Sequence, residues 1–205
     1  MKKVFTFVGA ALIALVGFNN SATAQVEQGN IIIDPYVGFP TANLAWGSIS
    51  SNSDFNTVGP PVSFGGRAEF MVADNFGVGA DVNYAIAGYE YTSENYYYDD
   101  VTGLYTDATY KYTSKKLRAM LRLNYHFVQT GELDAYFGFG TGYRNVKREA
   151  QYDNDESLET FATLIPVAFR LALGGRYYFT DNIGAMLELG TSGGSAIQFG
   201  VSIKL

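Results

Sequence analysis

The chain has no cysteine and a single histidine, His126. Without cysteine there is neither a disulfide framework nor a thiol for lipid attachment, so stability has to come from non-covalent structure. One imidazole with no thiolate gives a transition metal too few ligands, and no catalytic, cofactor-binding or metal-binding residues are assigned. Beyond the first residues no apolar run reaches the ~20 residues that a membrane-spanning helix needs. Positive charge is also scarce. Without Lys2 and Lys3, 12 of the 14 Lys+Arg remain against 20 Asp+Glu, a net charge of about −8, so nucleic acid is not an expected partner.

The amino terminus reads MKKVFTFVGAALIALVGFNNSATAQ: two lysines, an apolar run from Val4 to Phe18, then Ala22-Thr23-Ala24. That is the layout of a secretory signal peptide with an A-x-A site, expected to be cut between Ala24 and Gln25. The alternative, an uncleaved anchor, would have to cross the bilayer on 15 apolar residues, which is short. Residues 1–24 are therefore read as signal peptide and 25–205 as one domain.

The full sequence holds 16 tyrosines, 15 phenylalanines and 23 glycines, a composition of strands and turns. Its period is two. In KLRAMLRLNYHF, residues 116–127, the apolar Leu117, Ala119, Leu121, Leu123, Tyr125 and Phe127 alternate with Lys116, Arg118, Arg122, Asn124 and His126. On a helix these residues would scatter around the circumference, whereas on a strand they divide into two faces. The same template predicts strands near 31–40, 62–73, 76–91, 110–127, 133–148, 161–179, 183–190 and 196–205. Tight turns at 74–75, 129–132 and 180–182 alternate with long polar connections at 41–61, 92–109 and 149–160 and a short one at 191–195. The fold class is all-β, an eight-stranded antiparallel up-and-down transmembrane β-barrel.

One face of all eight strands is free of charge. The other carries Asp34, Arg67, Glu69, Asp81, Lys116, Arg118, Arg122, Asp134, Arg144, Arg148, Arg170, Arg176, Glu188 and Lys204, together with many glycines. An eight-stranded interior has room only to be filled by side chains or to hold one small ligand, so the crowded aromatic and aliphatic face does not fit inside it. The charged face does, with glycine leaving space for long arginines and the guanidinium fork suited to enclosed carboxylates.

The last strand alternates Ile197, Phe199, Val201, Ile203 and Leu205 to the final residue. This resembles the C-terminal signal by which outer-membrane barrels are recognised, with Leu205 standing where an aromatic is usual. Signal peptide, eight strands, short inner turns and terminal strand together resemble the small outer-membrane barrels of the OmpA/OmpX type, over the whole of residues 25–205. The resemblance implies a protein of the bacterial outer membrane, in contact with its lipid and lipopolysaccharide and inserted by the barrel assembly machinery. OmpA-like relatives carry a further peptidoglycan-binding domain; the chain stops at Leu205, so that role is not implied.

Within the barrel Asp34, Glu69, Asp81 and Glu188 fall near Arg67, Arg122 and Arg176, which predicts a salt-bridged plug. Lys116, Arg118, Arg144, Arg148 and Arg170 lie higher, with no inward acid at their level. Two readings apply to them. Loop acids Asp99, Asp100, Asp153, Asp155 and Glu156 fold over and neutralise them, or they form an anion-attracting vestibule. Tyr96, Tyr97, Tyr98 and Tyr105 mark the second outer connection, either as interfacial and packing residues or as a sticky edge for an extracellular protein or glycan. The sequence thus points to a non-enzymatic barrel that anchors surface loops for structural or adhesive work. A narrow porin-like channel is the alternative. A lipid-modifying enzyme would need a triad near the outer leaflet, and His126 is expected at the opposite end.

Overall fold

The computed structural model describes residues 26–40, 55–57, 62–99, 103–152, 158–159, 166–192 and 195–205. Eight long strands follow in chain order: β1 (Ile31–Pro40), β3 (Ser63–Ala73), β4 (Phe76–Asp99), β5 (Leu104–Gln129), β6 (Leu133–Tyr152), β8 (Val167–Tyr178), β9 (Ile183–Thr191) and β10 (Ser195–Lys204). Two short ones, β2 (Phe55–Thr57) and β7 (Leu158–Glu159), pair with the outer parts of β4 and β6. Each long strand pairs antiparallel with the next, and β1 pairs with β10 from Ile32↔Lys204 to Pro40↔Ser195. The ring is closed. Closure leaves no unpaired edge around its circumference, as lipid requires of a spanning sheet.

The period-two pattern sets the faces. Leu121 is 72% exposed and Phe179 67%, while Arg67, Arg122, Arg170 and Arg176 are each at most 2% exposed. An inside-out arrangement of this kind, with charge enclosed and a belt of Phe, Leu, Ile and Val outward, belongs in a bilayer rather than in water. The belt ends upward near Lys115, whose ammonium meets Glu149 at 3.0 Å on the outer face.

The inner turns are tight. Thr130 N donates to Leu133 O at 2.8 Å while Leu133 N donates to Thr130 Oγ1 at 3.0 Å. Ile183 N likewise donates to Thr180 Oγ1 at 3.0 Å. At this end the segment before β1 folds across the lumen. Val26, fully buried, packs with Ile32, Met71 and Tyr178 into an apolar floor. Gly29, at φ +94°, makes the bend and donates from its N–H to Met71 O at 2.9 Å.

Most strand bounds match the alternation, but the outer connections differ from expectation. The segment 92–109, read from sequence as a long loop, is mostly strand: β4 runs to Asp99 and β5 starts at Leu104, paired from Tyr98↔Tyr105 down through Tyr91↔Tyr110. Its tyrosines and threonines favour the pleated sheet, and above the lipid neither face needs to be apolar, so the hydrophobic alternation that marks a strand vanishes while the strand goes on. The same holds for β6, which continues to Tyr152. Conversely, β8 begins at Val167, later than the sequence-derived start at 161; residues 161–165 lie outside the described residues.

Candidate functional site

The alternation of the strands aims a set of ionisable side chains at the barrel axis, and every wall contributes. Glu188 on β9 is the hub. Its Oε2 lies 2.8 Å from Arg67 Nη1 and 2.8 Å from Arg122 Nη2, and its Oε1 lies 2.8 Å from Arg170 Nε. Arg122 Nη1 adds a second bond to Oε1 at 3.1 Å, making the pair bidentate. Asp81 on β4 meets Arg122 at 3.3 Å and Arg67 at 3.4 Å, and accepts a 2.7 Å bond from Tyr36 OH. Tyr136 OH donates to Glu188 Oε2 at 3.0 Å and accepts from Arg67 at 2.7 Å.

A second cluster lies closer to the floor. Arg176 on β8 joins Asp34 at 2.9 Å, Glu69 at 2.5 Å and Asp134 at 2.8 Å. His126 stands between two of these acids, with Nδ1 2.6 Å from Asp134 Oδ1 and Nε2 3.0 Å from Glu69 Oε1. An imidazole in that position satisfies both oxygens only by donating from both nitrogens, as the imidazolium. The five carboxylates Asp34, Glu69, Asp81, Asp134 and Glu188 then face Arg67, Arg122, Arg170, Arg176 and one imidazolium, which balances the two clusters. Asn124 completes the lower one by donating to Glu69 Oε1 at 2.7 Å.

Glycines make the room. A Cβ at Gly138 would strike the Arg122 guanidinium, one at Gly190 that of Arg170, and one at Gly77 the carboxylate of Glu69. Long arms lie flat over positions that have no side chain, which is how so much charge fits in a narrow ring.

The structure thus brings together Asp34, Arg67, Glu69, Asp81, Arg122, Arg176 and Glu188. It moves Arg170 from the upper group into this network. The sequence placed Arg170 with no acid at its level, but its side chain reaches Glu188, and its Nη1 donates to Ser195 O at 2.8 Å. Arg118, buried, has Asn83 Oδ1 as its hydrogen-bond acceptor. Lys116 is partly buried two residues above it, and Arg144 and Arg148 stand opposite Arg118 and Ser114 on β6, both exposed. Asp100, Asp153, Asp155 and Glu156 lie outside the described residues, as does the side chain of Asp99. On the outer hairpin Tyr98 and Tyr105 are exposed and their rings lie 5.1 Å apart; the side chains of Tyr96 and Tyr97 are outside the described residues.

Sequence reasoning about the charge network missed Tyr36, Tyr136, the Val26 floor and Gln198, whose Oε1 accepts from Arg67 Nη2 at 3.1 Å. Tyr36 and Tyr136 share the parity of the charged face, and that was the available signal. Val26 had none, since it precedes the first strand.

A closed ring of eight strands with a lipid-compatible belt and a charged, side-chain-filled lumen defines an integral β-barrel membrane protein. The chain belongs to the outer membrane protein beta-barrel domain family, whose model matches residues 10–204, and it is accordingly a protein of the bacterial outer membrane. A search of curated proteins finds no match. Among solved structures it is similar to the N-terminal beta-barrel domain of Pseudomonas aeruginosa OprF, at 16% identity and TM-score 0.47, covering 87% of this chain and 99% of that one. It is also similar to OprG from the same organism, at 13% identity and TM-score 0.45, covering 89% and 99%. A third likeness is to Ail, the attachment invasion locus protein of Yersinia pestis, at 12% identity and TM-score 0.42, covering 86% and 95%. Ring pairing and the family match, rather than these likenesses, carry the assignment.

Proposed function

We propose that this is a non-enzymatic barrel whose salt-bridged lumen makes it a closed anchor, and that its work is structural or adhesive, done by the parts that stand above the membrane. The observation that carries this reading is Glu188, one carboxylate gripped by Arg67, Arg122 and Arg170 from three different strands. Such a knot ties opposite walls together across a space that an ion stream would need. The partners that suit the outer sheet are an extracellular protein or glycan, docking on the exposed Tyr98 and Tyr105. Lipopolysaccharide would surround the belt, and the assembly machinery would receive the terminal strand. Export would proceed through residues 1–24, with cleavage after Ala24.

Recording from the purified protein in planar bilayers tests the closed anchor. Baseline current with rare, brief events is the expected result; steady, frequent ion conductance would replace the anchor with a narrow channel.

A further inference from the structure

Among the described residues, five buried side-chain polar atoms beyond the reach of any hydrogen-bond partner are Ser114 Oγ, Arg118 Nε and Nη1, Arg122 Nε and Arg170 Nη2. All but Arg122 Nε lie toward the outer end of the lumen. A buried donor left unpaired is costly, and a native structure rarely keeps several together without something to receive them. The arginines among them also share a sign of charge. Lys116 sits between Ser114 and Arg118 on the inward face of β5, Arg144 and Arg148 stand across the strand pair, and Arg118 feels the repulsion of Arg170 and Arg144 against the attraction of Asp81, a carboxylate already shared by Arg67 and Arg122. Within the ring, the inward carboxylates of the described residues are Asp34, Glu69, Asp81, Asp134 and Glu188, and each is already held by arginine or histidine.

We propose that the outer lumen is a binding site for a water-borne tetrahedral oxyanion of the phosphate or sulfate type, held by Arg118, Arg170 and Lys116 with Ser114 as a further donor. Water would satisfy the hydrogen bonds but leave the charge uncompensated; an oxyanion does both. The open donors come from β5 and β8, different walls of the ring, which suits an anion with oxygens pointing in several directions better than a planar carboxylate. A lipid phosphate is the wrong source, because these side chains are on the lumen face and lipid is on the other. The anion enters from outside and stops there, since the next inward layer is the Glu188 knot.

The test uses the full chain, folded in a phosphate-free maltoside detergent and titrated with inorganic phosphate, with sodium chloride at matched ionic strength as control. Calorimetry should show saturable phosphate binding, and the thermal midpoint should rise beyond the chloride control. Arg118→Gln should weaken phosphate binding about tenfold or more, the fold-change for one charge-assisted hydrogen bond. Lys147→Gln, an exposed cation of the outward face, should bind as the parent does. No phosphate response in the parent protein beyond chloride, or unchanged affinity in Arg118→Gln, overturns the site. If Arg118→Gln fails to give the heat-modifiable folded form, Lys116→Gln replaces it, with weaker binding expected and unchanged affinity again overturning the proposal. Affinity is read without reference to conductance, so failure here leaves the closed anchor standing.

Discussion

Arg122 and Arg118 lie on one strand, four residues apart, facing the same lumen, and both are almost fully buried. Arg122 is gripped by Glu188 and Asp81; among the described residues Arg118 has as hydrogen-bond acceptor only the amide oxygen of Asn83. The same residue in the same kind of wall is therefore a strut in one place and an open hand in the other. What differs is the carboxylate brought into ion-pair contact, by the neighbouring β4 and by β9 from across the ring in one case and by no described residue in the other. Burial alone does not make an arginine structural, because a buried cation stabilises only when an anion is buried with it.

The comparison breaks most severely if the strut region tolerates loss of its hub. Glu188→Ala leaves three guanidiniums facing one another, and thermal unfolding followed by the heat-dependent gel shift should reveal a loss of ~3 to 5 kcal/mol or failure to assemble. Adding Arg170→Met to that variant should recover part of the loss; no recovery would mean that the hub acts through shape rather than charge.

Both arginines look inward, whereas Leu121 between them faces lipid. Leu121→Arg puts a cation on the lipid side between them in sequence and should cost ~2 to 4 kcal/mol or block insertion, while Leu121→Phe should assemble normally. Normal insertion of the arginine variant would reverse the faces.

His126 sharpens the lower half. Its two carboxylate contacts predict that nitrogen-15 spectra of the folded barrel show both ring nitrogens protonated, and that His126→Gln loses ~1.5 to 3 kcal/mol. A spectrum with one unprotonated nitrogen would undo the charge balance derived for the two clusters.

The smallest effect belongs to the open hand. Arg118→Gln should leave stability within about 0.5 kcal/mol of the parent in phosphate-free buffer, since relief of like-charge repulsion offsets a single lost bond to Asn83. A large loss would show that Arg118 is a strut after all.

Much of this arrangement could be read from the residues. Along 116–127 the alternation alone separates the Leu117–Phe127 face from the arginines, because one face must meet lipid and the other must not. The salt-bridge network was legible as well, since Glu69, Asp81 and Glu188 share parity with Arg67 and Arg122. Two things were hidden. Arg170 joins Glu188 because a guanidinium reaches several ångström along the axis, a length that strand register does not encode. The outer halves of β4 and β5 look like loop in the sequence because above the bilayer no solvent difference forces alternation on Tyr89–Asp99 or Leu104–Tyr112.

Those outer halves give the molecule height. Residues 104–114 of β5 continue beyond Lys115, where the lipid belt ends, and at ~3.3 Å per residue they add roughly 35 Å of strand. With a tilt of ~40° they would rise nearly 30 Å, more than the ~25 Å of the belt itself. A loose connection of the same length would average its tip over a wide volume, but a paired ribbon holds Tyr98 and Tyr105 at a set distance from the lipid. Among the described residues the ends of this ribbon, Tyr98 and Tyr105, therefore stand farthest from the bilayer.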